Sequence, residues 1–222
     1  FGYEMGLELG GGRVGFEPLF PRLKEGESEP FLIRAVKETD IPFILETYSH
    51  AQKRSLVTSH RDEKILHYEI FGKSEANVNR AEFRVIERAD HEAVGYLSHP
   101  WFNWNLGLVL FEFELKPNVS WLDVSPSVYR YALTKGKEYA RRDNEPLETK
   151  NSAAFWHGTA HPAYAVLRDR LPRVRASYAW YVRVADVAGF VRLIAPALEK
   201  RLAESYLPGY SGTLHYNFYR DG

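Results

Sequence analysis

Cysteine is absent from the 222 residues, which excludes disulfides, thiolate nucleophiles and cysteine-bound metals and leaves the redox compartment unencoded. An excess of charge of one sign is lacking too, since 29 lysines and arginines balance 29 aspartates and glutamates. Such a chain has no global attraction to nucleic acid or anionic lipid, and neither is expected as a partner. No apolar run approaches the roughly 20 residues of a membrane span, no signal peptide is visible, and a cytoplasmic protein is expected. The chain opens on Phe1 and not on methionine, so it reads as a piece of a longer protein. Hydrophobic residues make up 45% of it, enough for one large domain with appendages.

What is present begins with a glycine pattern. In "LELGGGRVGFEPLFP", Gly10, Gly12 and Gly15 follow a strand-like run, "YEMGLEL", in the G-x-G-x-x-G spacing of dinucleotide sites. That chemistry needs the glycines to turn the chain into a helix whose N-terminal amides take the pyrophosphate. Pro18 and Pro21 break any such helix, and no second strand of a βαβ unit follows. The stretch is expected to be a connector.

"PRLKEGESEP", 21–30, reads as a polar linker. "FLIRAV" predicts a strand, and Thr39-Asp40 a cap for a helix over 41–54 with Ile41, Ile44, Leu45 and Tyr48 on one face. A helix over 62–71 is expected to turn Ile65, Leu66 and Ile70 inward. "EFRVIER", "EAVGYLSH" and "LGLVLFEFEL" predict three strands, the first two joined by a hairpin at Asp90-His91. Ser125-Pro126 predicts a helix reaching Arg142. "LETKNSAAFW" is a weaker strand, "HPAYAVLRDRL" a short helix and "SYAWYVRV" a strong strand. From Asp186 a further helix is expected, kinked at Pro196, and then an alternating strand, "GTLHYNFYRDG". These elements add up to an α/β (α+β) fold with a mixed, largely antiparallel, twisted sheet over 31–184.

The element order over 31–184 resembles the GNAT superfamily of N-acetyltransferases. The resemblance implies acetyl-CoA as cofactor, a primary amine as acceptor, and an R/Q-x-x-G-x-G/A loop whose amides hold the pyrophosphate. The matching stretch, "LDVSPSVYRYALTKGKEYA", has no such glycines: Tyr129 and Tyr131 stand in their place, Pro126 removes an amide, and Gly136 comes too late. The family's L-Y-x-x-x-G-F, whose tyrosine serves as general acid, falls on "LRDRLPRV", where Arg168 takes the tyrosine position and Pro172 the glycine. Tyr164 lies one turn earlier. The domain therefore resembles a degenerate GNAT repeat, with no catalytic, cofactor-binding or metal residue of its own. "FGYE" at 1–4 resembles the end of the same motif in an earlier GNAT domain, and the segment from Asp186 the start of a sterol-carrier-protein-like domain. That order is similar to the Eis-like acetyltransferases, and implies 1–30 as the last strand of a preceding domain with its linker, 31–184 as the degenerate repeat, and 185–222 as the sterol-carrier-like start.

Three constellations invite chemistry. Glu112 and Glu114 share a strand face, where GNAT enzymes often place a general base, although inward Phe111, Phe113 and Leu115 with outward glutamates explain the alternation more simply. His157-x-x-x-His161 has helical metal-ligand spacing, but Gly158 and Pro162 oppose one continuous helix and no H-E-x-x-H is formed. "WFNWN", 101–105, offers aromatics for a pocket or, more simply, for a domain interface. The expected function is a structural or pocket-lining segment of an acetyl-CoA-dependent N-acetyltransferase, itself binding no cofactor tightly. Self-sufficient catalysis with atypical CoA binding and a hydrophobic-ligand module are the alternatives. Alternating strands at both ends predict strand pairing and a homo-oligomer.

Overall fold

The computed structural model describes residues 4–7, 11–55, 58–105, 107–158, 161–176, 180–182, 184–213 and 215. In chain order it places β1 (Glu4–Leu7), β2 (Gly12–Phe16), β3 (Phe31–Ala35), α1 (Ile41–Gln52) and α2 (Glu63–His67), which runs on into a π turn, Tyr68–Gly72. Then come β4 (Ala81–Arg88), β5 (Ala93–Pro100), β6 (Leu108–Leu110), β7 (Glu112–Leu115) and the long helix α3 (Trp121–Arg142). The chain ends with β8 (Ser152–Phe155), α4 (Pro162–Val166), β9 (Arg173–Arg175), β10 (Trp180–Val182) and α5 (Val187–Ala203). Residues 7–180 form one compact unit, and residues 1–6 with 181–222 another.

The larger unit holds two four-stranded sheets. In the first, β3-β4-β5-β7, every pairing is antiparallel. Its β4–β5 hairpin turns where expected, with His91 at φ 69° and its N–H donating to the Arg88 carbonyl at 2.9 Å. The second, β6-β8-β2-β9, is mixed: β6 runs parallel to β8, and β2 is antiparallel to both β8 and β9. This is the α+β class, with mixed, largely antiparallel sheets, that the element order predicts.

The glycine-rich stretch is not a connector. Gly12–Phe16 is a strand inside the second sheet, and the glycines serve close approach between backbones. A Cβ on Gly12 would overlap the Phe155 carbonyl, and one on Gly15 would lie 2.8 Å from both Leu171 and Phe20 side chains. "LGLVLFEFEL" is likewise not one strand. It breaks at Phe111, so that β6 follows β8 while β7 follows β5. "HPAYAVLRDRL" stops being α-helical at Leu167, and β9 follows, a strand too short for its periodicity to register. In "LETKNSAAFW" only Ser152–Phe155 is extended. Ile65 is 38% exposed, because α2 is a single turn before the π segment and only Leu66 is fully inward.

Helix α3 begins a turn earlier than Ser125. Ser120 is its cap, accepting from the Asp123 N–H at 3.3 Å, with Asp123 in the first turn where acid favours the helix dipole. Pro126 therefore sits in the second turn, and Ser125 Oγ bonds back to the Trp121 carbonyl at 2.5 Å. The apolar side of α3, with Val128, Tyr129, Ala132 and Leu133, packs on Leu108, Leu110, Phe113 and Phe155. Phe20 stacks on Tyr129 with ring centres 3.5 Å apart and closes that core. In the smaller unit β1 pairs with β10, and Asp186 caps α5 by accepting from the Gly189 N–H at 2.8 Å. The stripe on α5 is uncovered among the described residues: Phe190, Leu193 and Leu198 are exposed. Most of the expected final strand, 216–222, lies outside the described residues.

Candidate functional site

The break at Phe111 creates a wedge. The parallel ladder between β6 and β8 ends at Leu110 and Phe155, with a last rung from the Trp156 N–H to the Leu110 carbonyl at 2.9 Å. Beyond it β7 turns away toward β5. The carbonyls of Phe111 and Phe113 then need donors other than a strand, because a backbone acceptor withdrawn from water must be paired. Two histidines supply them: His157 Nδ1 to the Phe111 oxygen at 3.2 Å and His161 Nε2 to the Phe113 oxygen at 3.0 Å.

These bonds fix where each ring carries a proton. A carbonyl only accepts, so His157 carries its proton on Nδ1 and His161 on Nε2. His161 Nδ1 accepts from the Ala163 N–H at 3.3 Å, which makes His161 the N-cap of α4 and rules out one helix through both histidines. Burial, with His161 and Arg54 adding to it, pushes the His157 imidazole well below its ordinary value. Its Nε2 is shut off from water and has no partner. The ring centres stand 4.5 Å apart, yet three of the four nitrogens are engaged with backbone, and no group of three metal-ligating side chains occurs among the described residues.

Aromatic rings complete the filling. Phe113, fully buried, meets Trp121 edge-on at 5.1 Å, and Trp121 meets His161 edge-on at 4.9 Å. Trp121 is the first residue of α3, and its indole packs against Phe113 and His161. Pro126, expected to remove an amide at the helix start, lies in the second turn.

Both candidate bases are tied to arginine. Glu112 accepts two hydrogen bonds at 2.8 Å from Arg61 and one at 2.9 Å from the Tyr96 hydroxyl. Glu114 takes a two-pronged bond from Arg54 and lies 3.6 Å from His161 Nε2. Tyr164 is equally committed: its hydroxyl donates to the Phe155 carbonyl at 2.7 Å and accepts from the His157 N–H at 3.2 Å. Burial pushes it up to about 12, away from any general-acid task near neutrality. Arg168 is exposed and remote from these contacts. The aromatics of 101–105 split: Trp104 joins Phe111 and Trp156 on the other face of the second sheet, while Trp101 lies under Arg142. Sequence reasoning singled out Glu112, Glu114, His157, His161 and Tyr164. It missed Arg54, Arg61 and Trp121, which come from elements distant in sequence or from a helix start read one turn late.

No protein-family model matches this sequence, and the curated proteins hold no match to it. Solved structures do. A protein of Enterococcus faecalis V583, described as a probable N-acyltransferase, is 16% identical with a TM-score of 0.52 over 86% of this chain and 43% of that one. A conserved protein of unknown function from Staphylococcus epidermidis ATCC 12228 is 13% identical, with a TM-score of 0.45 over 75% of this chain and 57% of that one. Spermidine N-acetyltransferase from Vibrio cholerae, solved with CoA and spermine, is 14% identical, with a TM-score of 0.39 over 48% of this chain and 66% of that one. The Enterococcus match carries the fold. This chain shares the fold of that protein. It spans less than half of that protein's length.

Proposed function

We propose that this chain is a degenerate GNAT-like domain of a larger acetyl-CoA-dependent N-acetyltransferase, and that it positions neighbouring parts and walls the pocket of a primary-amine substrate without doing chemistry itself. The observation that supports this most is the filled wedge: Trp121, His157 and His161 occupy the space between β7, β8 and the start of α3, and each potential base or acid there already has a structural partner. The Eis-like arrangement, with a GNAT domain ahead of the larger unit and a sterol-carrier-like domain from 185, belongs to the same proposal. Isothermal calorimetry with acetyl-CoA tests it. No saturable heat is expected at micromolar ligand. A micromolar Kd, about −8 kcal/mol, would show a working cofactor site and overturn the reading.

A further inference from the structure

Several arginines of this chain are paired with acid. Arg34, Arg54, Arg61, Arg84 and Arg130 each hold a carboxylate at hydrogen-bond distance. Within the eight residues 168–175, by contrast, Arg168, Arg170, Arg173 and Arg175 have no carboxylate partner among the described residues, and Asp169 is the one acid in that run. In a chain of zero net charge this is a local concentration of unneutralised cation. Arg175 adds a sharper sign, since its Nε is buried without an acceptor, and a guanidinium N–H withdrawn from water calls for one.

The backbone carries a second, independent feature. Strand β9 is the last in its sheet: one edge pairs with β2, and no described strand pairs with the other. Its open edge is a row of N–H and C=O groups that fits another extended chain. Arg173 and Arg175 point to one face of the strand and Val174, 61% exposed, to the other.

We propose that the outer edge of β9 is a docking site for an acidic extended segment of a protein partner, added as a further strand. Residues opposite each other in a ladder share a face, so carboxylates at alternate positions of the segment meet Arg173 and Arg175, and the apolar residue between them meets Val174. Arg168 and Arg170, just before the strand, extend the attraction beyond the ladder. A peptide is favoured over lipid or nucleic acid because only a peptide uses both the backbone row and the arginines. The inference does not rest on the acyltransferase reading, and acetyl-CoA binding does not bear on it.

Fluorescence anisotropy of a labelled Glu-Val-Glu-Val-Glu peptide on the intact chain is the test. Saturable binding is expected, weakened about tenfold or more in the R173E/R175E variant, with the fold checked by circular dichroism. An R173Q/R175Q variant, free of introduced acid, is expected to lie between the two. The same peptide with every backbone amide N-methylated keeps its charge and loses its ladder, and is expected not to bind. Equal binding of the methylated peptide, or of vesicles containing phosphatidylglycerol or a single-stranded oligonucleotide competing as strongly, would reduce the patch to a general anion attractor and overturn the proposal. Absence of saturable binding would overturn it as well.

Discussion

His99 shows how a single buried side chain sets a pH limit. It is fully buried at the end of β5, with Nδ1 donating to the Pro100 carbonyl at 2.8 Å and Nε2 accepting from the Tyr131 hydroxyl at 2.9 Å. Burial, with Arg84 and Lys135 adding to it, lowers its pKa from 6.5 to about 4. The unfolded chain therefore takes this proton near 6.5 and the folded chain only near 4, so protonation favours unfolding in between. The stabilisation is complete above pH 6.5, falls as the pH drops, and levels off below about 4. The loss amounts to roughly 3 kcal/mol from this group, and His157 acts in the same direction. Urea melts at pH 7, 5.5 and 4.5 should show the decline, and His99→Gln should flatten it by one proton's worth of slope. A wild-type chain equally stable at all three values would contradict the burial of neutral His99. Sequence reasoning had no access to this residue, because a histidine inside "EAVGYLSH" shows no sign of which nitrogen is bonded or to what. The same holds for Glu112 and Glu114: their shared face is legible from a spacing of two, whereas the arginines that neutralise them are 51 and 60 residues away.

Elements were legible where periodicity or a turn signal was strong. The hairpin at Asp90-His91, the inward face of α1 and the cap of α5 follow from side-chain alternation, helical spacing and an aspartate at the helix start. Two kinds of feature were not. Three-residue strands such as β6 and β9 are too short for a period, and the break at Phe111 is decided by which neighbour each half of the segment finds. The glycine motif belongs to the second kind, since G-x-G-x-x-G describes close backbone approach equally well in a phosphate loop and in a crowded sheet. Substitution separates the two. Gly12→Ala should destabilise the chain by about 3 kcal/mol, because the obstructing atom is the Phe155 backbone oxygen and cannot rotate away. Gly26→Ala, in open space at φ 82°, should lose only about 1 kcal/mol from its left-handed backbone. Chemical denaturation of both variants checks the difference, and similar losses would remove the case for β2 as a tightly packed inner strand.

At the scale of the whole molecule, the second sheet is built from segments far apart in the chain. Strand β2 lies between β8 and β9, although about 140 residues separate it from β8 and about 160 from β9. Removing it leaves β8 with an unpaired edge and β9 with no partner strand among the described residues, and Phe20, which follows it, no longer covers Tyr129. Sequence reasoning set these first residues apart from the domain that follows, and on that view deleting residues 1–20 would trim an appendage and leave a folded monomer. The sheet order leads to the opposite expectation. A chain lacking 1–20 should lose cooperative thermal unfolding and the dispersed amide proton spectrum of a packed core, and its exposed strand edges should drive aggregation. A chain trimmed to 7–180, which keeps β2 and ends at the unit boundary, should retain both signatures. The decisive comparison is between these two truncations under one set of conditions. If the chain without 1–20 melts cooperatively as a monomer in analytical ultracentrifugation, β2 is dispensable and the sheet closes between β8 and β9 alone. If both truncations unfold, residues 181–222 contribute stability to the larger unit that its own core does not supply.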